Sequence, residues 1–421
     1  MLSILINAYA CSPGMGSEPG MAWNWCVNLA KHCELHIITE GEFRDKIEEI
    51  VPTLPQRGNM HFYYNPIGDN EMLCAKIRKM CWNQGDWRFY KYYQQWQWKT
   101  YLKAKEICTE QHIDVLHQLN MIGFREPGYL WKLSKETDIP FVWGPIGGLK
   151  QYPLKYTDGG GLKMKLFMAL KNTINIWQLK YDKRVNAAFE QASLLISSIP
   201  NSYNAIKKYK GLESVIIPET GCFDIERSPT KKQSTNNDYF RIVWVGKFDF
   251  RKRLDIALEA IASAYHKDMI FEIYGTGNEK QIKYYKQLCD NLGISDIVAW
   301  KGNRSNEEVK ASMKSANLFF FTSVNEDTST VVLEAVSCSL PVLCFDACGM
   351  SAVIDDTVGR KVPLSTPSQS VKDFAEKIEL LYNNRDVLKR MSENCRERQL
   401  ELSWDRKAQQ MVELYEQIIK K

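Results

Sequence analysis

Residues 318–345 read LFFFTSVNEDTSTVVLEAVSCSLPVLCF, and this stretch decides the fold. Its two ends are short and strongly apolar, which is typical of buried strands, and an amphipathic segment lies between them after a polar loop. Thr328 or Ser329 is a good N-cap for a helix in that segment. The pattern of strand, loop, helix and strand predicts one unit of a parallel sheet.

The same alternation extends through the whole chain in two blocks. A polar stretch at 219–238, which ends KKQSTNND, separates them and is predicted to be a linker with a loop. We predict one doubly wound, Rossmann-like α/β domain from each block, with ligands bound at the carboxyl ends of the strands in the cleft between the domains. The predicted strands are residues 2–8, 34–39, 60–64, 115–118, 141–143, 194–197 and 215–217, then 241–245, 270–274, 297–300, 318–322 and 341–345.

Composition places the chain among folded globular proteins. Of its 421 residues, 44% are hydrophobic and 25% charged, which is too apolar for a disordered chain. No apolar run approaches the ~20 residues of a membrane span. The chain begins with a predicted strand and no basic signal region, so we expect a cytoplasmic protein. The 12 cysteines are scattered without a Cys-x-x-Cys pair and are expected to be buried thiols, and no zinc site is expected.

Positive charge is concentrated in two segments. Residues 72–105 contain eight basic residues and one acid, and residues 150–184 contain eight and two. Aromatic and apolar side chains accompany the cations, a combination that suits the headgroup layer of an anionic membrane. We therefore expect peripheral binding at the inner face of the cell membrane and no nucleic-acid partner. The alternative is a set of core aromatic residues with solvated lysines.

Two features of the second block suit a bound sugar and phosphate. The run GKFDFRKRLD at 246–255 places a glycine and four cations between a strand and a helix N-terminus, where a diphosphate binds well; a solvated basic turn is the alternative. Glu326 lies on the loop before the next helix and Glu334 lies inside that helix. Both carboxylates are expected at the carboxyl edge of the sheet, where they can accept hydrogen bonds from sugar hydroxyls.

Together these features resemble the retaining GT-B glycosyltransferases of family 4, also called group 1. The resemblance covers about 120 residues and implies a GT-B fold, with an acceptor-binding domain at 1–218 and a nucleotide-sugar-binding domain at 219–403. It also implies that a tail helix at 404–421 packs back on the first domain. The residues that carry it, in the family's order, are Gly246-Lys247 with Lys252, Gly275-Thr276-Gly277, Trp300-Lys301-Gly302, Glu326 with Glu334-Ala335, and Pro341-Val342.

The resemblance also implies roles for single residues. Lys247 and Lys252 would hold the donor diphosphate, and Glu334 would hold the ribose hydroxyls. Glu326 and His117 would contact the donor sugar near the reacting centre, and Arg304 would meet the base. The remaining donor-side residues are expected to be Gly16, Gly246, Gly275, Asp327, Thr328 and Ser329.

A glycine-rich loop, PGMGSEPG at 13–20, lies between the first strand and a helix expected from about Met21. One alternative is a dinucleotide-binding turn with Glu40 on the ribose, as in an NAD(P)-dependent dehydrogenase. The other is the loop that GT-B transferases place over the donor sugar and the acceptor, which the five residues between strand and glycines favour. The expected acceptor-side residues are Gly14, Ser17, Arg125, Glu126, Gly147 and Gly148.

The implied function is transfer of a sugar from a nucleotide-sugar donor to a glycan or lipid-linked acceptor, with retention of configuration, in cell-surface polysaccharide synthesis. No cofactor and no metal are expected, because lysines can neutralise the leaving diphosphate and no Asp-x-Asp pair is evident. Two alternatives stay open at this point. One is the dehydrogenase, and the other is a non-catalytic sugar or membrane binder with the same fold.

Overall fold

The computed structural model describes residues 1–82, 86–223 and 239–420, without the side chain of Trp82. Within these ranges the strands form two parallel sheets, one of seven strands in the order β3-β2-β1-β4-β5-β6-β7 and one of six in the order β10-β9-β8-β11-β12-β13. This confirms the predicted α/β class with two doubly wound sheets. The strands are β1 Ser3–Ala8, β2 Glu34–Thr39, β3 Met60–Tyr64, β4 Val115–Asn120, β5 Phe141–Ile146, β6 Leu194–Ser197, β7 Val215–Ile216, β8 Phe240–Val245, β9 Met269–Tyr274, β10 Val298–Gly302, β11 Leu318–Phe321, β12 Val342–Phe345 and β13 Gly359–Val362.

Helices cover both faces of each sheet, so the central strands are continuous apolar runs rather than alternating ones. We call the sheet β1–β7 with its helices the first domain and the sheet β8–β13 with its helices the second. The helices are α1 Ser17–Leu29, α2 Arg44–Ile50, α3 Glu71–Trp82, α4 Arg88–Glu110, α5 Leu130–Thr137, α6 Gly161–Tyr181, α7 Lys183–Gln191, α8 Pro200–Lys210, α9 Leu254–Ser263, α10 Glu279–Leu292, α11 Asn306–Ser315, α12 Thr330–Ser337, α13 Met350–Val353, α14 Pro367–Asn383, α15 Arg385–Glu401 and α16 Trp404–Ile419.

The tail helix α16 packs on the first domain. Met411 and Tyr415 are fully buried in the core beneath α1 and β1, and the rings of Trp404 and Trp25 meet edge to face at 5.8 Å. The chain passes between the domains twice at one place, where the Trp404 N–H donates to the Cys222 carbonyl at 3.0 Å. The last helix therefore completes the core of the first domain.

A second crossing runs in the opposite direction. Tyr152, Tyr156 and Met168 belong to the first block of the sequence but pack in the core of the second domain. The Tyr156 hydroxyl lies 2.7 Å from the Ser370 hydroxyl. A boundary at residue 218 therefore does not separate the two cores, because the segment before and within α6 contributes to both.

Local differences from the sequence-based expectation are small. Strand β13 was not predicted, and α1 begins at Ser17 rather than near Met21. Ser329 is the N-cap residue of α12, although its side chain makes no capping hydrogen bond. Of the predicted linker, residues 224–238 lie outside the described residues. Among the described helices, none combines the length and the apolar character needed to cross a bilayer.

The two basic segments differ in whether their aromatic and apolar side chains are buried or exposed. In 72–105, Phe89, Tyr93, Trp96 and Tyr101 are buried. Several cations of that segment form ion pairs with acids, as Lys99 does with Asp69. The other paired cations are Arg78, Arg88, Lys103 and Lys105. The expectation of a membrane-binding surface across 72–105 is therefore wrong for these aromatic residues, because they form core. Segment 150–184 differs, because several of its large apolar side chains are exposed.

Candidate active site

The loops that carry the sequence motifs follow strands at the two topological switch points. Strand β1 lies between β2 and β4, and β8 lies between β9 and β11. Connections leave such a pair of strands in opposite directions, which opens a crevice at their carboxyl ends. A cavity of about 1680 Å³ lies there, and residues of both domains line it. The glycine-rich loop after β1 and the loop after β11 therefore meet at one interdomain cavity, whereas residues 246–255, 275–277 and 300–304 are not among the described residues that line it.

The best-defined pair in this region is Lys252 and Glu326. The Lys252 ammonium lies 2.6 Å from Glu326 Oε1, and the two side chains are only 15% and 21% exposed. The Ser323 hydroxyl donates to the same carboxylate oxygen at 3.2 Å. The ammonium also lies 4.9 Å from the centre of the Phe321 ring. A partly dehydrated cation is thus held next to a carboxylate that lines the cavity.

Glu334 lies in the second turn of α12 and lines the same cavity. Asn306 donates to Glu334 Oε1 at 2.9 Å, and Lys310 lies 3.9 Å from that oxygen. These contacts from α11 orient the carboxylate. Asp327 and Thr328, from the loop before α12, also line the cavity.

The glycines expected near the phosphates bring two strand ends together. A Cβ atom on Gly275 would lie 1.8 Å from the Gly246 carbonyl oxygen, and Gly275 has φ +134°, so a side chain is excluded there. Lys247 and Arg304, by contrast, are exposed and are not among the described residues that line the cavity. The Arg304 Nε donates to the Lys301 carbonyl at 3.0 Å. Of the two predicted phosphate lysines, only Lys252 is placed next to the cavity wall.

On the first domain, most of the expected residues reach the cavity. Arg125 is held by α6, where Gln178 accepts from its Nε at 2.7 Å, and Glu126 pairs with Arg184 at 3.0 Å. Gly147 instead links two loops, because its N–H donates to the Ile122 carbonyl at 2.7 Å. The expected residues that line the cavity are Gly14, Gly16, Ser17, Arg125, Glu126 and Gly148.

His117 does not reach the cavity, which corrects the role expected for it. Its side chain is fully buried: Nδ1 accepts from the Tyr415 hydroxyl at 2.5 Å, and Nε2 donates to the Gly144 carbonyl at 2.7 Å. Burial lowers the pKa of His117 to about 4, so the ring is neutral. Both nitrogens are occupied, and the residue links β4 to α16 rather than contacting a ligand.

Glu40 is likewise occupied, which counts against the dinucleotide turn. It is 3% exposed, and Arg78 holds it with two parallel contacts, Nε to Oε2 at 3.0 Å and Nη2 to Oε1 at 2.8 Å. A ribose that needed this carboxylate would have to displace a buried, two-point ion pair. The carboxylate that the dehydrogenase alternative assigns to the ribose, Glu40, is therefore already engaged in an ion pair.

Two residues that line the cavity, Glu18 and Glu219, and one that contacts its wall, Lys150, were not identified from sequence. The Lys150 ammonium lies 2.6 Å from the Asp327 carboxylate and joins the two domains. Glu219, in the first passage between the domains, accepts from the Thr328 N–H at 2.6 Å. Burial, and then the charge of Asp327, raise the pKa of Glu219; burial raises the pKa of Glu18 to about 7. The one available signal was a cation, Lys150, two residues after Gly148.

Solved structures with the same architecture are glycosyltransferases of the GT-B type. The chain aligns over 99% of its length with all of the HepE protein of Anabaena, in complex with UDP, at a TM-score of 0.59 and 14% identity. It aligns over 100% of both chains with sucrose-phosphate synthase of Thermosynechococcus elongatus, at a TM-score of 0.64 and 15% identity. At such low sequence identity the structural likeness bears on the fold alone, and it establishes that the chain has the GT-B fold.

Sequence comparison finds relatives for part of the chain. Residues 226–398 match the family described as glycosyl transferases group 1. A stretch covering 43% of the chain is 27% identical to 49% of an uncharacterised glycosyltransferase of Methanocaldococcus jannaschii. Another, covering 41%, is 25% identical to 39% of a D-inositol 3-phosphate glycosyltransferase of Streptomyces bingchenggensis. The chain thus spans about half or less of the length of the curated relatives it matches.

Proposed function

We propose that the protein is a retaining glycosyltransferase that uses a nucleoside diphosphate sugar. The observation that carries the proposal is the Lys252–Glu326 pair with Glu334, all at the carboxyl edge of the second sheet beside the interdomain cavity. The cation suits the donor diphosphate and the two carboxylates suit sugar hydroxyls. The UDP in the HepE structure supports this class of ligand.

In the proposed reaction, the bond between the anomeric carbon and the diphosphate oxygen breaks, and a bond from that carbon to an acceptor hydroxyl oxygen forms. The proton of the acceptor hydroxyl passes to the departing diphosphate. Negative charge grows on the diphosphate as the bond breaks, so a fixed cation at Lys252 stabilises the transition state more than the ground state. This assigns the neutralising charge to the chain and requires no metal ion.

The acceptor is proposed to enter from the first domain, past Arg125 and Glu126. It would be a glycan or a lipid-linked saccharide of cell-surface polysaccharide synthesis. Lys150 and Asp327 pair directly at the edge of the cavity, so the two domains are already in contact beside the proposed donor site. Exclusion of water by such contact limits hydrolysis of the donor.

A panel of nucleoside diphosphates in a thermal-unfolding assay tests the donor class. We expect one of UDP, GDP or ADP to raise the midpoint of the full chain, and Glu334→Gln to weaken that shift. Glu279→Gln is the matched control, because Glu279 is an exposed glutamate at the start of α10. Stabilisation by NAD(P) and by no nucleoside diphosphate would contradict the proposal. Binding without transfer, with function in cells unchanged by Glu326→Gln, would instead support a non-catalytic binder.

A further inference from the structure

Helix α6 has an apolar stripe on its outward face. Leu162, Leu166 and Leu170 are 72%, 62% and 59% exposed. The opposite face carries Met168 and Leu179, which are buried against the protein. A helix that is apolar on both sides is normally covered on both. The outward residues, which recur at intervals of three or four and so share one face, are Leu162, Leu166, Leu170, Ile174, Trp177 and Tyr181.

Uncompensated lysines accompany the stripe. Lys163, Lys165 and Lys171 take part in no ion pair within residues 1–82, 86–223 and 239–420, which the structure describes. Segment 150–184 as a whole has eight basic residues and two acids. This surface therefore combines exposed apolar side chains with positive charge that no acid of the described chain neutralises.

We propose that α6 lies in the headgroup layer of an anionic lipid bilayer, with its leucines between the lipids and its lysines on the phosphates. An interfacial helix needs an apolar face, a cationic border and aromatic rings at the level of the headgroups, and Trp177 and Tyr181 supply the rings. A second copy of the chain is disfavoured as the occupant. A symmetric contact through this face would bring the same lysines together without partners.

The position of α6 relates this surface to the cavity. Arg125 lines the cavity, and its side chain is held by Gln178 and Asn175 of α6. An acceptor carried on a lipid would therefore arrive beside the first-domain wall of the cavity. That consequence rests on the proposed function, whereas binding of α6 to lipid does not.

Sedimentation with vesicles tests the proposal on the full chain without any nucleotide. Vesicles of phosphatidylcholine with phosphatidylglycerol are compared with phosphatidylcholine alone, at low and high salt. We expect binding to the anionic vesicles that salt weakens. The double substitution Leu166→Gln, Leu170→Gln is expected to lower the partition coefficient at least about tenfold, because two large apolar side chains no longer enter the lipid. Lys163→Glu with Lys165→Glu is expected to abolish the preference for anionic lipid.

Leu380→Gln and Leu400→Gln are the matched controls, because these leucines are 42% and 52% exposed on α14 and α15. Circular dichroism and the unfolding midpoint establish that each variant is folded. The proposal is overturned if the wild-type chain binds neither vesicle, or if the α6 leucine variant binds as well as the controls. It is also overturned if the wild type is a dimer by light scattering and the α6 variant a monomer. Failure of this test leaves nucleotide binding intact, so the two proposals are separable.

Discussion

Replacing Lys252 by alanine removes the cation next to the cavity wall without disturbing the core. The ammonium is 2.6 Å from Glu326 and 15% exposed, so a donor phosphate that reached it would form a charge-assisted hydrogen bond in a partly dehydrated place. Such a bond contributes about 1.5–3 kcal/mol. A tenfold change in affinity corresponds to about 1.4 kcal/mol. We therefore expect the nucleoside diphosphate to bind roughly 10- to 150-fold more weakly, with a loss in kcat/KM at least as large.

Removal of the lysine also leaves the Glu326 charge facing the phosphates without compensation. The double variant Lys252→Ala, Glu326→Gln should therefore bind the nucleotide more tightly than Lys252→Ala alone, although its transfer activity stays low. Isothermal titration of the nucleotide selected by the panel measures both effects. Lys283→Ala is the control, since Lys283 is an exposed lysine on α10. Nucleotide affinity and kcat/KM of Lys252→Ala equal to those of the control would refute the assignment.

Three further changes concern stability. The folded pKa of Glu18 is raised to about 7 from 4.5. The folded state therefore loses stability as pH rises from about 4.5 to about 7. Glu18→Gln should raise the unfolding free energy at pH 8 by about 1–3 kcal/mol and leave it unchanged at pH 5. Urea titrations at both pH values measure this difference. Tyr415→Phe leaves the buried His117 without its donor and should cost about 1–3 kcal/mol in urea unfolding with kcat unchanged; a lower kcat at full stability would restore a direct role for His117. Arg253 is 5% exposed and pairs with Asp255 at 2.6 Å and with Asp158 at 2.9 Å. Both carboxylates are partly exposed and stay hydrated without the arginine, so Arg253→Ala should cost about 1–3 kcal/mol, and an unaltered urea midpoint would contradict this.

The features that sequence predicts well are those carried by local pattern. The predicted strand at 318–322 begins with an unbroken apolar run, LFFF, and β11 occupies that run, Leu318–Phe321. Strand β13 was not predicted because its sequence at 359–362, GRKV, contains a glycine and two cations. It is an edge strand that is only partly buried. Its pairing with Val342 supplies the order that its composition does not.

The features that sequence misses depend on distant parts of the chain. His117 lies near a strand end, where a ligand contact is a reasonable hypothesis. Its ring instead accepts a hydrogen bond from Tyr415, which lies 298 residues later in the sequence. The pair Lys150–Asp327 likewise joins elements of two domains, and nothing near either residue indicates the other. Glu326 and Lys252 were both expected at the donor site, and they meet because they follow neighbouring strands, β11 and β8, of one sheet. Strand adjacency in a doubly wound sheet is predictable, whereas the contacts of a returning tail are not.

The return of α16 to the first domain has a consequence for biosynthesis. Trp404, Met411 and Tyr415 fill the core of the first domain. The residues of that core outside α16 precede the second domain in the sequence and are therefore synthesised earlier. While the ribosome translates the second domain, the first must wait with an open hydrophobic groove beneath α1. A nascent chain halted before residue 404 would present that groove to chaperones and proteases, however well its second domain had folded.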